Sequence, residues 1–185
     1  MRQGIRMLAA LGATAASLFL TAQPASANSF GPGYADNKDH SFFYDDDLSS
    51  AQRSGMDWAR TKSLAGPTDM TTKVDRTYNN KVDVWAYATW NPTGDQKNAY
   101  AWTTCIKRVR SGSEVCDQHT IVFNNRQPHS NLKSLSCHEI GHSVGLGHNS
   151  GKNSSYSSAN RSCLRGNPDH TYYSTHDKNH INGHY

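Results

Sequence analysis

The segment from His138 to His148 contains three histidines and one glutamate within eleven residues, and its spacing restricts the local fold. Residues four apart lie on the same face of an α-helix, so His138 and His142 can present two imidazoles to one metal ion. Gly145 stands where such a helix would end and reverse, because glycine adopts the left-handed backbone conformation at little steric cost. His148 would then return to the same point as a third ligand. The spacing therefore predicts a helix, a tight turn and a shared metal-binding point.

The chemistry of this segment is that of a catalytic zinc site. Three neutral imidazoles leave one position of a tetrahedral zinc ion open, as catalytic sites require. Glu139 follows the first ligand and can reach a metal-bound water without binding the metal itself, so we predict it as the general base. A zinc ion with such a base has the means to hydrolyse a peptide bond. The alternative is a relic of such a site that has lost its metal.

The first 27 residues have the pattern of a secretory signal peptide. Arg2 and Arg6 precede an apolar run from Met7 to Leu20, and the sequence Ala-Ser-Ala at residues 25–27 fits a cleavage site. Loss of the two arginines leaves 17 basic and 15 acidic residues, a net charge of +2. So mild a charge gives no reason to expect binding to nucleic acid or to a membrane surface. We therefore predict a secreted, extracellular protein that is a monomer.

The four cysteines all follow the predicted signal peptide, and export favours disulfides over free thiols. Four cysteines allow three pairings. Two predicted strands, residues 99–109 and 114–123, flank the sequence Arg-Ser-Gly-Ser. A hairpin centred between Arg110 and Ser111 would place Cys105 opposite Cys116, close enough for a disulfide. We predict this pair first.

The rest of the chain is predicted to be a leader followed by one domain. Residues 28–47, which include three consecutive aspartates, have no apparent core of their own and are predicted as a flexible leader or short propeptide. The catalytic domain is predicted to cover residues 48–185. Its first helix runs from Leu48 to Leu64, before the Gly66-Pro67 stop, and residues 81–90 alternate in polarity as a β-strand does.

Two more helices are predicted in the C-terminal half. The first begins near Leu132, after a cap by Ser130 or Asn131, and carries the first two histidines of the motif. The second covers residues 175–184 and would bury Ile181 and Tyr185 on one side.

The sequence HEIGHSVGLGH, residues 138–148, resembles the active-site helix of the metzincin clan of zinc endopeptidases. It is most similar to matrixin-type and small secreted actinobacterial peptidases, and the C-terminal STHDKNHINGHY is similar to the final matrixin helix. The resemblance implies an α+β fold with a twisted mixed β-sheet, an active-site helix and a small irregular C-terminal subdomain that ends in a helix. It implies zinc ligands at His138, His142 and His148, and the general base at Glu139. It also implies a substrate that lies along an edge strand, which we place at residues 115–124.

The chain departs from the metzincin pattern beneath the zinc. Metzincins have a methionine in a tight turn there, and this chain has no methionine after Met70. The matching segment is RSCLRG, residues 161–166, which puts Leu164 in the position of the methionine. Cys163 would then pair with Cys137, just before the first ligand. We hypothesise that this disulfide takes over part of the positioning role of the methionine.

Two other family features bear on substrate and latency. Tyr172 and Tyr173 follow the Leu164 turn, where the family forms a wall of the substrate pocket, so they are candidate pocket residues with core packing as the alternative. Matrixins hold latency with a propeptide cysteine, but no cysteine precedes Cys105. A disordered acidic N-terminus is the simpler interpretation of residues 28–47.

The remaining histidines have weaker claims to a metal. His176, His180 and His184 recur every four residues, and we expect a solvated helix face rather than a second site. The resemblance allows a structural ion such as Ca²⁺, with Asp117, His119 and His129 as candidates. We expect ordinary strand or loop roles for these three.

The predicted function is that of a zinc metalloendopeptidase acting on protein or peptide substrates. One alternative is a zinc amidase that acts on cell-wall peptides, since the same carbonyl polarisation serves either bond. Another is a secreted binding module with a zinc site of low turnover. Hydrolysis of casein separates the first from the others.

Overall fold

The computed structural model describes residues 33–148, 161–165 and 169–185. The predicted signal peptide, residues 28–32 of the predicted leader and the parts of the chain between these ranges lie outside it. The described chain forms six β-strands: β1 Tyr34–Ala35, β2 Asp39–Tyr44, β3 Thr71–Asp75, β4 Val84–Thr89, β5 Ala101–Arg108 and β6 Val115–Asn124. It also forms three α-helices: α1 Ser50–Trp58, α2 Leu132–Ser143 and α3 Thr175–His184.

The strands form one mixed sheet in the order β1-β6-β4-β2-β3, with β5 on the other side of β6. All pairs are parallel except β5 with β6, which is antiparallel. The described residues 161–165 and 169–174 contain neither helix nor strand and lead into α3. The predicted α+β class, with a mixed sheet and an irregular C-terminal part that ends in a helix, is confirmed.

The predicted edge strand is wrong. Residues 115–124 form β6, which pairs with β4 on one side and with β5 on the other. Among the described strands, β5 pairs only with β6 and is one edge of the sheet, and β3 is the opposite edge. The run Ile121-Val122-Phe123 is buried throughout, as expected for a strand covered on both faces and not for an edge.

The predicted flexible leader is also wrong for the residues that the structure describes. β2 lies between β3 and β4, and its Phe42 is completely buried. The sequence pattern did not indicate this strand because it contains polar residues. These residues form hydrogen bonds with distant parts of the chain. The backbone N–H and the hydroxyl of Ser41 both donate to Oδ2 of Asp83, at 2.6 Å each. The folded domain therefore begins well before residue 48.

The first helix agrees with its predicted limits. Ser49 and Gln52 form a capping box at the start of α1, and the helix continues as a π-helical segment, Ala59–Ala65, to its end at Gly66. In β4 the alternating pattern is also confirmed, since Val84 and Ala86 are buried while Trp85 is partly exposed.

The core lies between the sheet and the helices. Buried apolar side chains of the strands meet those of all three helices in one cluster, which includes Phe42 of β2, Met56 of α1, Ile121 of β6, Ile140 of α2 and Ile181 of α3. In this way α3 is packed as predicted, and the hydroxyl of Tyr185 donates to the carbonyl oxygen of Val144 at 3.0 Å.

The predicted Cys105–Cys116 disulfide is present, with 5.8 Å between the two Cα atoms. The hairpin register that led to it is different, because Cys105 pairs with His119 and Cys116 with Arg108. An irregularity between Cys105 and Arg108 displaces the strands from the symmetric register expected for the turn. The disulfide therefore connects residues that are not directly opposed.

A buried histidine joins the centre of the sheet to the end of α2. Nε2 of His40, on β2, lies 3.0 Å from Oγ of Ser143, whose hydroxyl donates to the carbonyl oxygen of Ile140 at 2.8 Å. The Ser143 oxygen therefore accepts from Nε2–H of a neutral His40. Burial, and to a smaller extent the neighbouring His119, lower the pKa of His40 to about 3.

This shift makes the fold sensitive to acid. Because the pKa of His40 is near 6.5 in the unfolded chain, the unfolded state binds more protons between pH 6.5 and 3, and folding weakens as the pH falls through this window. We expect the parent protein to lose about 3 kcal/mol more stability than His40→Gln between pH 6.5 and 4. Urea denaturation of both proteins across this pH range measures the difference. Equal losses in the free energy of unfolding of the two proteins would contradict it.

Candidate metal centre

The helix that carries the motif starts and ends as its sequence predicts. The side chain of Asn131 accepts a hydrogen bond from the backbone N–H of Ser134, so Asn131 is the N-cap of α2. At the other end Gly145 has a φ of 92°, in the left-handed region that favours glycine. The N–H of Leu146 donates to the carbonyl oxygen of Gly141 at 2.9 Å, which closes the turn and returns the chain towards α2.

The three histidines converge through their Nε2 atoms. The distance from His138 Nε2 to His142 Nε2 is 3.0 Å, and His148 Nε2 lies 3.1 Å from each of them. Nδ1 of His138 lies 2.7 Å from the carbonyl oxygen of Cys163, and Nδ1 of His142 lies 2.7 Å from that of Leu146. A carbonyl only accepts, so the Nδ1 atoms carry the protons of these two neutral rings and their Nε2 atoms carry lone pairs.

This arrangement fits a metal ion. Nitrogen lone pairs that face one another repel unless a cation lies among them, and tetrahedral zinc with Zn–N bonds near 2.0–2.1 Å separates its ligands by about 3.3 Å. Burial is the main factor that lowers the pKa of all three histidines, that of His138 to about 3, which favours the neutral form that binds metal. The three residues form a group that could hold a metal ion.

Glu139 is buried beside this group and contacts the edge strand. Its side chain is 3% exposed, and its Oε2 lies 2.7 Å from the hydroxyl of Thr103 on β5. Burial raises the pKa of Glu139 to about 7, against a smaller opposing effect of the Thr103 hydrogen bond. A carboxyl group with a pKa near neutrality can both take up and release a proton at neutral pH. Sequence reasoning missed Thr103.

The segment around Leu164 is attached to α2 by a covalent bond and by packing. The predicted Cys137–Cys163 disulfide is present, with 5.9 Å between the Cα atoms. Leu164 is completely buried, and a methyl group at Gly141 would lie only 2.5 Å from its Cδ2. Leu164 therefore packs against α2 at Gly141, which is the residue before the ligand candidate His142.

The two candidate pocket tyrosines have different roles in the fold. Tyr173 is 2% exposed and its hydroxyl donates to the carbonyl oxygen of Cys137 at 3.0 Å, so this hydroxyl has a structural task. Tyr172 is 53% exposed and packs edge-on against Trp58, with 4.8 Å between ring centres. Both line a cavity of about 280 Å³. Tyr172 is thus the one of the two with surface to offer a ligand.

The other predicted ion-binding candidates are not brought together. Asp117 forms an ion pair with Lys107, while His119 contacts the carbonyl oxygen of Gly33. His129 bonds to the backbone of the residue two positions later. Apart from the three motif histidines, the one other group in the described ranges that could hold a metal is Cys105, Cys116 and His119, and there the cysteines form a disulfide. Neither group contains the carboxylates that calcium prefers.

The face of α3 has no such group either. His176 and His180 stack with 6.0 Å between ring centres, and His184 packs edge-on against Tyr34. Among the described residues the three histidines of α3 do not form a group that could hold a metal ion.

Comparison with known proteins carries no argument about the function of this chain. No protein-family model and no curated protein matches the chain. Among solved structures it is similar to high choriolytic enzyme 1, a hatching enzyme zinc-protease from the medaka fish Oryzias latipes, with 16% identity and a TM-score of 0.39. The match covers 68% of this chain and 54% of that chain, about half of its length. The functional argument therefore depends on the residues of the site.

Proposed function

We propose that this protein is a secreted zinc metalloendopeptidase. The observation that carries the proposal is the convergence of three Nε2 atoms within 3.0–3.1 Å, two of them held by carbonyl oxygens at Nδ1, with a buried glutamate adjacent to the first ligand. Such second contacts to ligand histidines fix the ring orientation and the tautomer in metal sites. A chance cluster of histidines gives no reason to expect such contacts at Nδ1.

The residues of the site divide the work of hydrolysis. His138, His142 and His148 would hold the metal through Nε2. Zinc bound there makes water more acidic and polarises the substrate carbonyl. Glu139, whose Oε2 lies 2.7 Å from the Thr103 hydroxyl, would accept a proton from the attacking water and pass it to the leaving amine.

The substrate lies extended along β5. Among the described strands this one pairs only with β6, and its Thr103 contacts the base, so the other edge of β5 lies close to the reacting centre. An edge strand binds an extended peptide through main-chain hydrogen bonds, which act on peptides of many sequences. This mode of binding favours a protein substrate.

Export is part of the proposal. The two disulfides of the described chain are suited to an oxidising compartment, in agreement with the signal peptide that we propose for residues 1–27. In the part of the chain that the structure describes, no helix has both the length and the apolar character to cross a membrane.

Metal content and casein hydrolysis test the proposal together. We expect about one zinc per chain in the parent protein, and casein cleavage that a chelator abolishes and added zinc restores. His148→Ala should lose both zinc and activity, because two imidazoles hold zinc poorly. His176→Ala, which changes a histidine of α3, is the matched control and should keep both.

Three results would contradict the proposal in different ways. A parent protein without zinc would exclude the metal centre. Full zinc content in His148→Ala would exclude this ligand set. Zinc with cleavage of cell-wall peptides but not of casein would favour the amidase.

A further inference from the structure

We infer that Thr103 is a positioning residue that fixes the carboxylate of Glu139 for proton transfer. The inference rests on the proposed function of Glu139 as general base. It starts from one hydroxyl, Oγ1 of Thr103, which lies 2.7 Å from Oε2 and 2.9 Å from the backbone oxygen of Glu139. One side chain of the edge strand thus contacts both the main chain and the side chain of the base.

These two contacts restrict the glutamate at both ends of its side chain. A glutamate has three side-chain torsions, and a buried carboxylate without a partner pays the full cost of desolvation. The single hydroxyl proton of Thr103 is shared between two acceptors of one residue, Oε2 and the backbone oxygen of Glu139, with the shorter contact at Oε2. The contact at Oε2 limits the rotation of the carboxylate, so Thr103 orients the group that would take the proton from water.

The position of Thr103 in the sheet connects this task to the substrate. Thr103 and His142 line the same cleft, of about 310 Å³, together with Gly33 and Gly145. A peptide that pairs with the edge of β5 would bind to the strand that holds the base. The hydroxyl that contacts the Glu139 carboxylate therefore belongs to the strand that would bind the substrate.

The adjacent residue provides a matched control. Thr104 follows on β5 and is exposed, whereas Thr103 is partly buried, as expected for neighbours that point to opposite faces of a strand. Thr103→Val and Thr104→Val therefore each remove a threonine hydroxyl from the same strand, with the same change in β-propensity. Thr103→Val also loses the contact with Glu139, and Thr103→Ser, which keeps the hydroxyl at the same position, controls for the difference in burial.

We expect Thr103→Val to lower kcat by about 10- to 100-fold, with KM within about threefold of the parent and zinc content unchanged. Thr103→Ser should recover most of kcat, since it restores the hydroxyl, and Thr104→Val should match the parent. Initial rates on a fluorogenic peptide and metal analysis of the four proteins give these values. An unchanged kcat in Thr103→Val, or a loss that Thr103→Ser does not recover, would overturn the inference.

A second measurement keeps this test separate from the proposed function. We would determine unfolding equilibrium constants for Thr103→Val, Glu139→Ala and the double variant of the full chain. If the two side chains interact, the change in the unfolding constant of the double variant will differ by about fivefold or more from the product of the two single changes. Multiplicative effects would overturn the inference even if the protein proved to be an amidase, while a parent without any hydrolysis would contradict the proposed function alone.

Discussion

Replacing Glu139 by glutamine is expected to lower kcat/KM for peptide hydrolysis by about 10³- to 10⁴-fold while zinc content stays near one per chain. The glutamine has nearly the same shape and can still accept the hydrogen bond from Thr103, but it cannot take a proton from water. The loss corresponds to about 4 to 5.5 kcal/mol of transition-state stabilisation. Glu139 is not among the three residues that would hold the metal, so zinc should stay bound in the variant.

The sequence offers a close control for this variant. The chain has only two glutamates, and the other, Glu114, is an exposed residue just before β6. Glu114→Gln makes the same chemical change and should keep kcat/KM within about twofold, as expected for most surface substitutions. Peptide hydrolysis and metal analysis on both variants decide the role of Glu139. More than a tenth of the parent activity in Glu139→Gln would exclude it as the general base.

Removing the disulfide beside the ligands is expected to have the second-largest effect. Cys137 and Cys163 are separated by 26 residues, and the loop-entropy estimate for such a bridge is about 3.5 kcal/mol. The double variant Cys137→Ala with Cys163→Ala should lose stability of this order. It should also lose kcat, because the carbonyl oxygen of Cys163 holds Nδ1 of His138 at 2.7 Å. The result would test whether the bridge performs part of the task that a methionine has in metzincins.

The other disulfide separates a general loss of stability from a local effect on the site. Cys105 and Cys116 are 11 residues apart, for which the same estimate is about 2.8 kcal/mol. Their double alanine variant should lose similar stability but keep its zinc and the larger part of kcat. Denaturant unfolding and initial rates would be compared at a temperature where both variants are folded. Equal losses of kcat would show that the bridge at Cys137 has no special role.

The elements predicted correctly are those that local sequence determines. The start of α2 follows from Asn131 as a cap, and its end follows from Gly145. Each of these signals acts over one helical turn, which is why a pattern of a few residues was sufficient. The two disulfides were found because the neighbouring motif and hairpin fixed their approximate positions.

The errors came from features that depend on distant contacts. Ser41 is accommodated in the central strand β2 by hydrogen bonds to Asp83, a partner 42 residues away. The order of the described strands makes β5, and not β6, an edge of the sheet. Thr103 was missed for the same reason, because nothing in the sequence distinguishes it from Thr104 until β5 is placed against α2.

The central position of β2 also limits how the protein can be matured by proteases. Cleavage within residues 39–44 would cut a strand that pairs with β3 on one side and β4 on the other, and would divide the sheet. Even Tyr34 and Ala35 pair with β6, next to the Cys116 disulfide. Removal of an N-terminal segment that leaves every strand pair of the described sheet intact would therefore have to cut before Tyr34.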